Sequence, residues 1–310
     1  MRIFRDYSFI EPAARGATAA IGNFDGVHLG HRSVIDLARG AEPDAPLGIV
    51  TFEPHPRMYF APDAPPFRLM SADARASRLA KLGVETLFEL PFNAAMASLS
   101  PEDFAGKVLF EGLGLRHVVV GADFCFGKGR KGTAADLHAF GAEMGFDVTI
   151  APLLEDTGAT VSSTAIRAAL SAGDPRRAKS MLGHWHRIEG PVIGGEQRGR
   201  TLGYPTANMS LEGLHLPAFG VYAVLVDVLE GPHQGSYHGV ASLGVRPMFG
   251  ENMPNIETFL FDFSGDLYGT PLSVALVDHL RGEENFDSLE ALITQMDADS
   301  AQSRAILAAL

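Results

Sequence analysis

A chain of 310 residues has room for two domains. With 46% hydrophobic and 20% charged residues it has a globular composition, and a net charge of −12 argues against a general nucleic-acid binder. Cys125 is the one cysteine, so no internal disulfide can form, and neither a signal-peptide core nor a membrane-length apolar run is present; a soluble cytoplasmic chain is expected.

Thr18–Ile21 is small, apolar and partly β-branched, which predicts a buried strand. Gly22-Asn23-Phe24-Asp25-Gly26 breaks that run with turn residues, and helical apolar spacing follows from about His31 to Ala38. A helix N-terminus reached through such a turn offers unpaired N–H groups and the positive end of its dipole, which suits phosphate. His28 and His31, three apart around Gly30, fall on one side of a helical turn. No carboxylate or cysteine lies nearby at a familiar ligand spacing, so the pair is read as facing one anion rather than as a zinc pair.

Pro46–Phe52 predicts a second strand. It ends in Glu53-Pro54-His55-Pro56-Arg57, where prolines stop ladder pairing and a polar loop suits a ligand crevice. Ser71–Leu82 reads as a helix and Val84–Leu90 as a strand. Ser100-Pro101 caps another helix, and His117–Gly121 is another buried strand. This alternation implies a parallel, doubly wound sheet. Asp123, Phe126 and Arg130 fall in a glycine-rich basic loop that lets backbone and cations approach phosphate. Strand Phe146–Ile150 precedes Ser162-Ser163-Thr164-Ala165-Ile166-Arg167, hydroxyl residues ahead of a helix. Asp174-Pro175 starts a helix ending at Leu182-Gly183, and the domain boundary is placed there, giving 1–183 and 184–310.

Beyond Gly183 the pattern changes to short strand-like runs separated by glycine-rich turns, which suggests a compact antiparallel barrel. Ser288–Leu310 has helical spacing and should pack on it. His184 and His186 flank Trp185 with no further ligand and receive no catalytic role. Arg198-Gly199-Arg200, Gly203-Tyr204-Pro205-Thr206-Ala207-Asn208, Glu257 at a strand start, and Arg281 to Phe286 are the remaining polar candidates.

GNFDGVHLGHR at 22–32 contains the HxGH tetrapeptide of nucleotidylyltransferases. It resembles the N-terminal motif of the bacterial bifunctional riboflavin kinase/FMN adenylyltransferase (FAD synthetase) family. TFEPHPR, GADFCFGKGRKG, SSTAIR, GYPTAN, ETFLFDFSGDLYG and LRGEENF resemble later motifs of that family, in the same order. The resemblance implies a Rossmann-like nucleotidylyltransferase domain followed by an antiparallel β-barrel riboflavin kinase domain and a terminal helix. It implies ATP-dependent phosphorylation of riboflavin to FMN, then adenylylation of FMN to FAD with release of pyrophosphate. Riboflavin, FMN, ATP and FAD are the implied ligands, with Mg²⁺ as cofactor and ATP as co-substrate.

On the same resemblance, His28, His31 and Arg167 act on the phosphates of the adenylyl transfer. Gly22, Asn23, Phe24, Asp25, Gly26, Gly30, His55, Pro56, Arg57, Asp123, Phe126, Arg130, Ser162, Ser163 and Thr164 line that crevice. In the kinase, Thr206 and Asn208 hold the metal–nucleotide complex. Gly199, Arg200, Gly203 and Pro205 surround it, Glu257 is the general base, and Arg281 with Phe286 encloses the flavin. Ser242 and Met248 stand where the family has asparagine and threonine, Asn285 where lysine is common and Trp185 where proline is common. A chain keeping one reaction beside a flavin-binding regulatory domain, and a non-catalytic flavin carrier, are the rival readings. No nucleic-acid or membrane partner is implied, and the oligomeric state, a homo-oligomer included, stays open.

Overall fold

The computed structural model describes residues 1–152, 155, 156, 159–194, 203–248 and 251–310, with backbone alone at 155, 156, 159, 160, 246–248, 251 and 252. The first sheet contains β1 (Arg2–Phe4), β2 (Thr18–Ile21), β3 (Leu47–Glu53), β4 (Thr86–Pro91) and β5 (His117–Gly121). Past a hairpin of β6 (Cys125–Phe126) and β7 (Gly132–Thr133) it is completed by β8 (Asp147–Ala151). Its order is β1-β4-β3-β2-β5-β8, and every pair is parallel. Leu47 to Phe52 are all buried, as a strand covered on both faces requires.

The helices of this half are α1 (Leu29–Ala41), α2 (Pro56–Phe60), α3 (Ala72–Lys81), α4 (Ala94–Ser98), α5 (Pro101–Asp103) and α6 (Ala134–Met144). Helix α1 begins two residues before the first predicted helical position, because His28 itself is its N-cap. The loop after Pro54 turns into the short α2, capped by His55. After α5 the chain continues as π-helix through Phe104–Gly112.

The chain divides into two compact units, residues 1–65 with 75–161, and residues 66–74 with 162–310. The change of sequence pattern at Gly183 is therefore not the packing boundary. Helices α7 (Ser163–Ser171) and α8 (Pro175–Leu182) follow a hairpin of β9 (Glu155–Asp156) and β10 (Ala159–Thr160), and both pack with the second unit. The Ala218 N–H donates to the Leu170 carbonyl at 2.9 Å, and Arg176 pairs with Asp278 at 2.9 Å.

The second unit contains β11 (Arg187–Pro191), β12 (Ala207–Ser210), β13 (Gly220–Val228), β14 (Gly235–Met248), β15 (Glu251–Leu260) and β16 (Pro271–Arg281). All pairs are antiparallel, in the order β11-β16-β13-β14-β15-β12. The Ile193 N–H donates to the Asn208 carbonyl at 2.8 Å, joining the two edges into a nearly closed barrel. Val224, Val226, Leu243, Ile256, Val274 and Leu276 fill its core. The terminal helix α9 (Leu289–Ala308) packs over Val240, Phe261 and Val277, but largely through polar side chains. Asp299 pairs with Arg281 at 2.8 Å, Ser303 donates to the Gly239 carbonyl at 2.8 Å, and Arg304 pairs with Asp262 at 2.8 Å.

His186 is buried at the start of the barrel. Burial first, and then the neighbouring His184 and His215, push its pKa down to about 3. The unfolded chain takes up this proton near pH 6.5 and the folded chain does not, so stability is highest above 6.5 and is lost as pH falls toward 3. At pH 5 the loss from this group is about 2 kcal/mol. A His186→Leu chain should therefore show a smaller drop in urea midpoint between pH 7 and pH 5 than wild type. Equal drops would assign the acid sensitivity to other groups.

Candidate functional site

In the first sheet the chain runs from β2 outward to β3 and β4 on one side, then to β5 and β8 on the other. The order reverses between β2 and β5, and ligands of open α/β sheets bind beyond the carboxyl ends of strands at such a point. The loops leaving β2, β3 and β5 there carry 22–28, 54–57 and 122–124, three of the segments singled out in the sequence.

The turn after β2 is strained. Phe24 has φ 51° and Val27 φ 44°, conformations that residues with a side chain rarely adopt and a β-branched one least of all. Both side chains are fully buried, and that packing holds the turn. Asp25 is buried beside them. The His31 N–H donates to His28 Nδ1 at 3.2 Å, which caps α1 and leaves Nε2 of His28 as its N–H. The two rings stack 3.6 Å apart at 15°. Gly30 makes this possible: a Cβ there would lie 3.1 Å from His28 Cε1. Phe24 backs His31 at 5.1 Å between ring centroids. Nδ1 of His31 is buried with no hydrogen-bond partner among the described residues. Burial, and then the His28 ring, hold His31 well below the ordinary histidine pKa, so it is neutral at physiological pH. With His31 neutral, ring N–H groups at this helix N-terminus are equipped to donate to phosphate oxygens.

His55 Nδ1 accepts from the Arg57 N–H at 3.0 Å, and Pro56 is the first residue of α2. Asp123 and Arg130 are exposed, Arg130 with φ 57°. Phe126 is placed differently from an open flavin contact. It is buried in the core, 5.6 Å from Phe104 and stacked on Phe124 at 5.5 Å. Arg75 is a residue that sequence reasoning did not single out. It joins the carbonyl of Asn23 to Glu53 and Glu89.

In the second unit Ser162 caps α7 by accepting from the Ala165 N–H at 3.2 Å, with Ser163 and Thr164 in the first turn. Arg167 donates Nε to the Phe67 carbonyl and lies over the Phe67 ring at 5.2 Å.

The barrel register does what spacing along the chain could not. Asn208 of β12 faces Glu257 of β15, and Ser242 of β14 faces Glu257 from the other side. Residues 49 apart in sequence thus become cross-strand neighbours, about 5 Å apart at Cβ. Asn208 is buried, donates to the Thr206 carbonyl at 3.4 Å and accepts from Asn255 at 3.4 Å. Pro205 and Thr206 line a cavity of about 340 Å³ with Val192, Leu260, Phe263 and Tyr268. The Tyr204 ring lies tilted at 57° against Phe259, 4.8 Å between centroids, and its hydroxyl donates to Asp297 of α9, while Gly203 is exposed just before it. Arg281 lies 5.6 Å from the Phe286 ring, but its guanidinium is committed to the buried Asp299. Gly199 and Arg200 lie outside the described residues.

Residues 10–165 match the FAD synthetase family model, and residues 182–307 match the riboflavin kinase model. A bifunctional riboflavin kinase/FMN adenylyltransferase of Pseudomonas fluorescens is 42% identical, over 99% of this chain and 98% of its own. The chain belongs to this family. The Escherichia coli K12 member is 36% identical over 98% of this chain and 97% of its own. A solved Streptococcus pneumoniae structure, titled as a macrolide-efflux protein, superposes with a TM-score of 0.83 at 31% identity, covering 97% of this chain and 98% of that one. No described helix of the present chain is long and apolar enough to cross a membrane.

Among the described residues, one cluster has metal-ligand geometry: Glu42, His117 and Asp147. It lies at the opposite end of the sheet from the histidine pair, where Arg116 approaches Glu42 at 3.7 Å and Thr149 bonds His117 at 2.8 Å.

Proposed function

We propose that the chain makes FMN from riboflavin and ATP in its barrel, and FAD from FMN and a second ATP at the parallel-sheet site. The functional boundary is drawn at 183/184. The observation that supports this reading is that each unit has its own polar arrangement suited to phosphate: the stacked His28/His31 pair at the switch point, and Asn208, two residues after Thr206, set opposite Glu257 by barrel register.

At the sheet site His28 and His31 hold the transferred phosphate and the leaving pyrophosphate through N–H donors. Negative charge grows around phosphorus as FMN attacks, so donors fixed beforehand lower the barrier. Gly22 to Gly26, His55 to Arg57, Asp123 and Arg130 shape the crevice for nucleotide and flavin. The start of α7 offers hydroxyl and N–H groups suited to phosphate, with Arg167 as the cation.

In the barrel Glu257 takes the proton from the ribityl hydroxyl as it attacks the γ-phosphate. The cavity beside Thr206 receives the nucleotide, whereas Arg281 and Phe286 stand at the flavin side. Thr206 and Asn208 supply oxygen donors only, which fits Mg²⁺, and the long 3.4 Å contact from Asn255 leaves lone-pair capacity on the Asn208 amide oxygen. Bound with the nucleotide, Mg²⁺ would neutralise phosphate charge. A cytoplasmic location accords with the single cysteine.

Pure protein given riboflavin, ATP and Mg²⁺ should yield FMN and then FAD by chromatography, and EDTA should stop both. Absence of both products from folded protein would refute the reading. FAD from supplied FMN but none from riboflavin would favour a silent kinase domain instead.

A further inference from the structure

Arg75 is the largest side chain that the described structure buries completely, at 1% exposure. It leaves α3 and ends beneath the carboxyl edges of β2, β3 and β4. One guanidinium nitrogen donates to Glu53 at 3.1 Å and to Glu89 at 3.0 Å, and the other to the Asn23 carbonyl at 3.3 Å. The Thr51 hydroxyl donates to the same carbonyl at 3.3 Å. Glu89 is also paired with Arg5 at 3.1 Å.

A buried ion pair is weak evidence for stability, because desolvation offsets its attraction and an apolar replacement often serves as well. What an apolar side chain cannot do is fix two loops at once. Asn23 opens the strained turn that leads to His28 and His31, and Glu53 opens the loop that leads to His55 and Arg57. The planar fork of arginine sets the starting points of both loops relative to each other, which a lysine point charge cannot do. The strained φ values at Phe24 and Val27 need such over-determination to persist.

We propose that Arg75 is a positioning residue for adenylyl transfer: it holds the turn after β2 against the loop after β3 and so aims the histidine pair without touching substrate. The proposal rests on the reading of that site as the adenylyl-transfer centre.

The test is steady-state kinetics of Arg75→Lys, which keeps the charge and loses the fork. The kcat for FMN to FAD should fall about 10- to 100-fold, as misplacement by about 1 Å does, while the KM for FMN moves less than about threefold. FMN formation from riboflavin should stay at the wild-type rate, which a general loss of folded protein would not allow. A wild-type kcat, a rise in KM alone, or an equal fall in both activities would overturn the proposal. Should the lysine chain not fold, Glu53→Ala cuts the tie of Arg75 to the loop after β3 while leaving Arg75 in place, and a wild-type kcat in that chain would count equally against the proposal. Wild-type protein that makes FMN but leaves FMN unadenylylated would instead refute the site assignment on which the proposal rests.

Discussion

A His28→Asn chain should lose FMN adenylylation about 10²- to 10³-fold, the usual effect of removing one donor aimed at developing negative charge. It should still convert riboflavin to FMN at the wild-type rate. Asparagine is chosen because His28 does two things at once. Its Nδ1 caps α1, and its ring stacks on His31 with Nε2 carrying the N–H. Asparagine is among the best N-caps, so it keeps the first role and removes the second. Alanine would remove both and cost about 1 kcal/mol of stability besides. The comparison separates chemistry from folding: activity loss shared by both variants belongs to the imidazole, and a drop in melting temperature confined to alanine belongs to the cap. If asparagine retained adenylylation, the donor role of His28 would be wrong. Because His31 is held well below the ordinary histidine range, its ring proton resonances should also stay flat between pH 8 and 6. Its share of stability is then present above pH 6.5 and declines as pH falls below it.

How much of this was legible depended on whether the signal was local. Strands β2 and β5 coincide with the predicted runs Thr18–Ile21 and His117–Gly121, because short buried apolar segments bounded by glycine have no competing pattern. The caps Ser100, Ser162 and Asp174 were readable for the same reason, since a side-chain oxygen immediately before a helical run accepts from the N–H three residues on, within one turn. Edge strand β1 was not readable: three residues carry no periodicity, and its pairing with β4 is set by contacts more than eighty residues away. Helix α6 was missed although it has a capping box between Thr133 and Asp136. Gly141 sits mid-helix there because a Cβ would lie 2.6 Å from the Phe146 carbonyl oxygen, and it weakens the helical pattern.

The same division holds for the sites. The histidine pair is a local motif and was visible. Arg75 was not, because an arginine on an amphipathic helix reads as a solvated charge until the fold places two carboxylates and a carbonyl around it. Phe126 and Arg281 show the converse. Both match a motif by position, yet one is built into the core and the other anchors the terminal helix, so their effects on activity will be hard to separate from effects on folding.

Glu257→Gln should lower the rate of FMN formation from riboflavin about 10²- to 10⁴-fold, the range that a positioned general base supplies. Supplied FMN should still be converted to FAD at the wild-type rate. The register argues for the size of the effect. Glu257 lies between Asn208 and Ser242 on adjacent strands, so its position is fixed by backbone pairing on both sides rather than by a mobile loop. Glutamine keeps shape and hydrogen bonding and removes only the capacity to take a proton, so the melting temperature should hardly move. Asn208→Ala is the less clean experiment. It deletes an oxygen donor, but it also leaves the buried Asn255 amide without its 3.4 Å acceptor, which costs about 1–3 kcal/mol. Asn208→Asp retains the acceptor, but it loses the donor to the Thr206 carbonyl and sets a buried carboxylate opposite Glu257, so its folding must be checked as carefully as that of the alanine chain. Rates of FMN formation across the three variants, each checked for folding, then decide between the two roles. If Glu257→Gln phosphorylates riboflavin normally, proton removal is done elsewhere, and the pairing of Asn208 with Glu257 is only part of the barrel's architecture.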